Sequence, residues 1–552
     1  MPLATDEEES KKRIMRTIYY NGKVYTGELP LQEAFSVTNG LFDGVGRNED
    51  ILSAAGENDT CIDLKGSFAC AGFNDSHMHL LGFGQSLHAA NLAAHTGSLA
   101  ELLDYLSEYL VQHPVREGQW LTGRGWNQDY FSDARRMPDR KDLDRISTDV
   151  PIVITRACGH CCVVNSKALE LAGISALTTS PEGGKIGMEN GVPDGRLYDN
   201  AIDLLRTSMP LPEMEDLKEM IRLATRALNS YGVTSSQTDD YCVFRAIPFE
   251  QVNRAYRELE EAGELTVRVY EQSNITTLAD LKAYVEAGNV TGAGSDFFRI
   301  GPLKMLGDGA LGSRTACLSV PYPGEKDNRG FCLFSADHMN EMVSYANAHN
   351  MQIAIHAIGD ACLDQVLDAV ELALQNHPRR DHRHGVVHCQ VSRADQLERI
   401  RNLDMHVYAQ SIFLDYDNHI VSQLIPPELA QTSYNWKTLM KNGVSVSNGS
   451  DCPVELPNVM AGIQCAVTHC SLDGTGPYLP NEAFTVQEAL DSFTIRSAEA
   501  SFEEDRKGRI RQGYMADFVI LNRNPFETEP EQIHSIQVLA TYVNGTCVYS
   551  AQ

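Results

Sequence analysis

Gly72-Phe-Asn-Asp-Ser-His77-Met78-His79-Leu80 decides how this chain is read. It follows a short strand-like run, Gly66-Ser-Phe-Ala-Cys-Ala71, and closes on two histidines one residue apart. Residues two apart on a strand face the same side, so the imidazoles of His77 and His79 can converge on one point, and that point could hold a metal. With 17 histidines in 552 residues, such a pair arises by chance about half the time. The remaining ligands must come from elsewhere in the chain.

Working outward, residues 17–25, 35–45 and 60–64 read as short strands separated by Asn-Gly, Asp-Gly and Gly-Glu turns. The far end mirrors them, with strand-like runs at Lys507-Gly-Arg-Ile510, 516–521 and 538–549. The two ends are expected to join in one small β-sandwich. Downstream of His79, residues 81–209 are irregular, with a helix at 99–111, turns around Gly123-Arg-Gly-Trp-Asn127, a strand at 151–155 and a glycine- and proline-rich stretch at 180–195. Such an insertion often builds the wall of a substrate pocket.

Beyond it the pattern is regular. Helical periodicity at 215–230, 249–262, 278–287, 336–349, 361–375, 393–402 and 436–441 alternates with apolar runs at 232–237, 266–271, 297–306, 351–357, 385–390, 406–411 and 444–448. With the run before His77 these make eight strands, the α/β pattern of a (β/α)8 TIM barrel, whose active site lies at the carboxyl ends of its strands. The expected layout is a sandwich part at 1–70, a barrel at 71–504 with an insertion at about 81–209, and the second sandwich part at 505–552.

Composition limits the partners. A formal net charge of −28 opposes binding to nucleic acid or to anionic membrane. Fourteen irregularly spaced cysteines, many in apolar runs, suit a reducing cytoplasm. No segment has the length or apolarity of a signal peptide or membrane helix. The expectation is a soluble cytoplasmic protein with a small-molecule substrate, and nothing in the composition opposes a homo-oligomer.

A barrel demands its chemistry at strand ends. Met351-Gln-Ile-Ala-Ile355 runs into His356, Gly385-Val-Val387 into His388, and Val444 to Ser450 into Asp451, while Phe298-Arg-Ile-Gly-Pro-Leu303 delivers Lys304 and then Asp308. A lone histidine at a strand end is usually a hydrogen-bonded partner of the backbone. Four histidines and an aspartate at such ends together point to metal. Lys304 is the odd member, because an ammonium is repelled by divalent cations. Buried and neutral, its amine can add carbon dioxide to form a carbamate that bridges two metals; paired or exposed, it is an ordinary lysine.

These motifs resemble the amidohydrolase superfamily, and within it the amidohydrolase-3 (YtcJ-like) family. The resemblance is carried by residues 72–79, Gly159-His160 with Asn165-Ser-Lys-Ala-Leu-Glu-Leu-Ala-Gly173, and Lys304-Met-Leu-Gly-Asp-Gly-Ala-Leu-Gly-Ser-Arg-Thr-Ala316. It continues through His356-Ala-Ile-Gly-Asp360, Arg383-His-Gly-Val-Val-His-Cys-Gln390, Gly449-Ser-Asp-Cys-Pro453 and the tail from Lys507 to Phe518. It implies two divalent ions, with His77 and His79 on one, His356 and His388 on the other, carboxylated Lys304 between them, and Asp451 as both ligand and proton carrier. Imidazole and carboxylate donors suit zinc.

The activity implied is hydrolysis of a carbon–nitrogen bond other than a peptide bond, in an amide, N-acyl or cyclic amide substrate, by metal-activated hydroxide. Trp126, His160, Asp308, Arg314 and Gln410 are the candidates for substrate contact. A deaminase of the same superfamily is the alternative. It is disfavoured by Lys304 and by Ala-Ile-Gly-Asp after His356, where such deaminases place a glutamate. A non-catalytic scaffold would have lost ligands, and none is lost. The cysteines of Cys158-Gly-His-Cys-Cys162 are expected to pack rather than bind zinc, and His382, His384 and His469 to be structural.

Overall fold

The computed structural model describes residues 16–116, 118–134, 136–156, 161–181, 184–205 and 208–551. Its contacts divide into two units, one formed by Met1–Gly82 with Ala224–Gln552 and the other by Phe83–Leu223.

The first unit holds an eight-stranded parallel sheet whose strands follow one another in chain order. They are Phe73–Met78, Val233–Thr238, Arg268–Asn274, Phe298–Leu306, Ile353–Ala357, Gly385–His388, His406–Ala409 and Val446–Asn448. Backbone hydrogen bonds close the seam between last and first: Asp451 N–H donates to the His77 carbonyl at 2.8 Å and His79 N–H to the Cys452 carbonyl at 2.7 Å. The (β/α)8 barrel expected from the alternation is therefore present.

The helices form where the periodicity places them. Phe249–Glu261 buries Val252, Ala255, Tyr256 and Leu259, and Asp360–Asn376 buries Leu363, Val366, Leu367, Val370 and Ala373. Both sets follow the three- and four-residue spacing of one helical face. Side-chain oxygens of Thr277 and Ser335 accept the first free amides of Leu278–Glu286 and Ala336–Ala348, which fixes where those helices begin.

Both chain ends meet in two further sheets. Leu41–Gly46, Ala34–Thr38, Arg16–Tyr20 and Thr60–Asp63 make one; Lys23–Val24, Phe68–Ala71, Phe518–Leu521, Val538–Val543 and Thr546–Ser550 make the other. They share a core in which Tyr19 stacks on Phe35 at 4.8 Å and Phe518 on Tyr542 at 4.3 Å.

Two strand assignments change. The run before His77 is not the first barrel strand: Phe68–Ala71 pairs with Lys23–Val24 and Phe518–Leu521, and the barrel begins at Phe73, with Gly72 alone between the two strands. Gly72 makes the transfer possible, since a Cβ there would sit 2.3 Å from Thr234 of the second strand. Lys507–Ile510 is not a strand either. The Lys507 side chain is buried against Glu503 and donates to Ser235 Oγ at 3.3 Å, a polar anchor that sequence alternation cannot distinguish from a strand.

The second unit has a six-stranded sheet ordered Gly184–Glu189, Val192–Asp199, Cys161–Val164, Ile152–Arg156, Leu121–Trp126, Ala90–Asn91. Cys161 and Cys162 are buried in it as packing groups. No helix among the described residues is long and apolar enough to cross a membrane.

Candidate metal centre

His77 near the end of the first strand, His388 at the end of the sixth and Asp451 after the eighth point inward together. One ligand atom from each lies within 4.8 Å of the other two. Asp451 Oδ1 is 3.4 Å from His77 Nε2 and 3.2 Å from His79 Nε2. It is buried and has no hydrogen-bond partner.

The hydrogen bonds behind the rings decide which nitrogen faces inward. Gln272 Nε2 donates to the Ser76 carbonyl at 3.1 Å, so its Oε1 is the atom 2.6 Å from His77 Nδ1. Gln410 Nε2 donates to the Tyr408 carbonyl at 3.0 Å, leaving Oε1 2.7 Å from His388 Nδ1. The Asp239 carbonyl lies 2.8 Å from His79 Nδ1. All three acceptors lack a proton, so each Nδ1 carries one and donates. Burial holds His77 and His388 well below the usual histidine range, with Lys304 acting in the same sense on His77 and His356 on His388. Both rings are therefore neutral, and their Nε2 lone pairs face a carboxylate oxygen. His79 differs: against its burial, Asp451 and Cys242 hold its ring well above the usual histidine range, so it can carry the positive charge that faces Asp451. Neutral imidazole with carboxylate is also a set that zinc accepts. A divalent ion fits here.

Burial opposes ionisation of Asp451, but contact with His79 outweighs it and holds the carboxyl well below its usual range. The backbone is strained at the same points. His388 and Cys389 have φ of 75° and 50°, and Asp451 has φ of 57°, a region that costs a non-glycine residue about 1–3 kcal/mol. Indole Nε1 of Trp436 donates to the His388 carbonyl at 2.9 Å and helps hold that turn.

The other sequence candidates are distributed differently. Lys304 is buried in strand four with its Nζ 3.7 Å from Asp239 Oδ2, a neighbour that suits the paired alternative of the sequence reading. His356 lies beside His388, ring centroids 4.4 Å apart, but its Nε2 meets the Gly309 carbonyl at 3.0 Å and Asp308 at 3.3 Å, which leaves Nδ1 as its free nitrogen.

Four expected substrate contacts are occupied elsewhere. Asp308 accepts the amides of Cys317, Ile358 and Gly359 at 2.8, 3.0 and 2.8 Å, tying two loops together. Arg314 pairs with Glu325. Gln410 serves His388, and Trp126 is buried in the hydrophobic core of the second unit. His160 lies outside the described residues.

Four residues that sequence reasoning missed complete the setting. Asp75 accepts the Ser450 hydroxyl at 2.5 Å and its amide at 3.0 Å, binding strand one to strand eight; burial pushes it up to about 7 against those hydrogen bonds. Its signal was in the opening stretch, two residues before His77 on the same face. Gln272 lies in Glu271-Gln-Ser273, a polar run inside a buried strand. Asp239 follows strand two directly, the position rule that found Lys304. With His79 and Cys242 it forms a second group of convergent donors, and its Oδ1 is buried without a partner.

Fold and donor set define the class: a (β/α)8 barrel with a candidate metal centre at the carboxyl ends of its strands. The amidohydrolase family profile matches residues 60–549. The chain is 32% identical over 542 residues to "Putative amidohydrolase YtcJ" of Bacillus subtilis, covering 97% of this chain and 99% of that one. It is 26% identical to N-substituted formamide deformylase of Arthrobacter pascens, over 94% and 95% of the two chains. A metal-dependent hydrolase structure from Pyrococcus horikoshii superposes with a TM-score of 0.76 at 27% identity, covering 93% of this chain and 99% of that one. The protein belongs to the amidohydrolase family.

Proposed function

We propose that the protein is a metal-dependent hydrolase of a carbon–nitrogen bond other than a peptide bond, acting on an amide, N-acyl or cyclic amide, with zinc as its metal. The observation that carries this reading is the convergence of His77, His388 and Asp451 on one point, with the two rings pinned by Gln272 and Gln410. His77, His388 and Asp451 would hold an ion, with His79 beside them.

Bound there, a divalent ion lowers the pKa of water toward about 7 and polarises a carbonyl oxygen. The protein's own part is proton handling. Asp451 takes the proton from the attacking water and delivers it to the departing nitrogen, the two halves of general base and acid work. Gln272, Gln410 and the Asp239 carbonyl keep the three rings from turning. N-substituted formamides are the first substrates to try, because a relative of 26% identity bears that activity in its name.

Two measurements test this. A screen of formamides, other N-acyl amines and cyclic amides, read by the product amine, should find turnover; ammonia release from aryl amines alone would place the protein with the deaminases instead. Metal analysis of the purified protein should find zinc. One equivalent matches the convergent set, whereas two would bring in His356 with carboxylated Lys304, or Asp239 with Cys242. None would overturn the proposal.

A further inference from the structure

His79 has a neighbour at each ring nitrogen. Its Nε2 faces Asp451. Its Nδ1 faces the turn after strand two, where the Asp239 carbonyl lies 2.8 Å away and Cys242 Sγ 3.4 Å away. That turn is held from several directions. Asp239 N–H donates to the Met78 carbonyl at 2.9 Å, at the end of strand one. Asp240 Oδ1 accepts the Leu81 amide and the Thr238 hydroxyl, both at 2.8 Å, and its Oδ2 accepts the Tyr256 hydroxyl. The segment carrying His79 and the segment carrying Asp239 and Cys242 are thus tied together on either side of the donors.

One ligand atom from each of these three residues lies within 4.8 Å of the other two, close enough for small side-chain adjustments to bring all three onto one ion. Asp239 supplies an independent sign of a ligand. Its Oδ2 accepts from Asn274 Nδ2 at 2.9 Å and faces Lys304 Nζ at 3.7 Å. Its Oδ1 has no partner, on a side chain with no solvent exposure. A buried carboxylate oxygen is normally satisfied, and a cation would satisfy this one. His79 and Cys242 are partly exposed, so an ion has a way in. The sulfur decides the class of ion: thiolate with imidazole and carboxylate selects zinc or cadmium over magnesium, calcium or manganese, which prefer oxygen donors.

We propose that His79 Nδ1, Asp239 Oδ1 and Cys242 Sγ form a second metal site for a thiophilic divalent ion, separate from the set of His77, His388 and Asp451. It rests on the metal-dependent reading above, as the seat of the second ion that reading leaves open. To become ligands, the Cys242 thiol gives up its proton and His79 Nδ1 gives up the one it donates to the Asp239 carbonyl. The ring keeps a proton on Nε2, which donates to Asp451 Oδ1. His79 therefore leaves the first ion to His77, His388 and Asp451, and touches that centre only as a hydrogen-bond donor. Lys304 serves as a counter-charge to Asp239 and needs no carbamate.

The probe is cadmium, titrated into the full chain with the exposed Cys61 and Cys547 changed to serine. A cadmium–thiolate bond absorbs in the ultraviolet where cadmium on nitrogen and oxygen alone does not. The band should appear in this parent and be lost in C242S, whose thermal midpoint checks the fold. D239N should keep the band and bind cadmium at least about 10-fold more weakly. Zinc analysis should give two equivalents for the parent and for H356N, and one for C242S, the one held by His77, His388 and Asp451. A parent without the band, or a band of unchanged size in C242S, would overturn the proposal. So would loss of the second zinc from H356N while C242S keeps two, which seats that ion at a carboxylated Lys304 instead. One zinc in the parent and in C242S alike removes the second site and leaves the first centre standing; no zinc in either removes both.

Discussion

Gln272→Leu removes the acceptor that holds His77 with its Nε2 inward, while keeping the volume of a fully buried side chain. The hydrogen bond lost is short, 2.6 Å. Without it the Nδ1–H is either left unsatisfied, at a cost of about 1–3 kcal/mol, or the ring takes its other tautomer and presents a proton where the metal would bind. Both routes weaken the site by the same order as other supports of metal-bound histidine, about 10- to 100-fold in affinity, equivalent to about 1.4–2.8 kcal/mol. Gln272→Glu separates tautomer control from packing, because a carboxylate still accepts from Nδ1. The assay is zinc competition against a chromophoric chelator, with the thermal midpoint of each metal-free variant as a check on folding. The expected order is leucine variant weakest, with the glutamate variant equal to or tighter than the parent. If the leucine variant binds zinc as tightly as the parent, His77 is not a ligand held through Gln272 and the site has been assigned wrongly.

Asp451→Asn keeps the shape and removes the proton acceptor, so kcat should fall at least 100-fold, within the range of about 10²–10⁴ for general acid–base catalysis, with circular dichroism unchanged. Gly449→Ala places a Cβ 2.5 Å from His77 N and 2.7 Å from Asp75 Oδ1; overpacking of this kind costs about 1–3 kcal/mol, read as a lower urea midpoint together with weaker zinc binding. Acid lability should follow from His406, which burial, with Arg383 and Arg496, pushes down to about 3. Between that value and about 6.5 the unfolded chain binds the extra proton, so stability is present above the unfolded value and falls with falling pH by about 1.4 kcal/mol per unit. Urea titrations from pH 4 to 7 should show that slope reduced in His406→Gln.

Much of this arrangement is legible in the sequence, because barrel strands and the helices between them repeat one physical pattern. Phe249–Glu261 and Asp360–Asn376 announce themselves by apolar spacing, and His77, His388 and Asp451 by position at strand ends. What stays hidden depends on contacts between distant segments. Nothing near Phe68–Ala71 shows that its partner is Phe518–Leu521 rather than a barrel strand. Gln272 and Gln410 look like any buried glutamines until their amide groups are fixed by the carbonyls of Ser76 and Tyr408. Lys304 is ambiguous for the same reason, its carboxylate partner lying 65 residues earlier, on another strand's end. Residue type and local spacing nominate a group; only the fold supplies the neighbour that decides its state.

The opening His77-Met-His79 pair also lies at the seam of the barrel. Strand one and strand eight are joined by Asp75 on Ser450 and by the backbone bonds of Asp451 and His79, so the donors His77 and Asp451 stand on opposite sides of the closure. An ion between them would bridge the seam, and whatever opens the seam would separate the donors. Metal binding and barrel closure are then one equilibrium. Free zinc at 100 times its Kd should stabilise the fold by about 2.7 kcal/mol, and the gain should shrink in Gly449→Ala, where the backbone at the seam is forced apart, even though no donor has been changed.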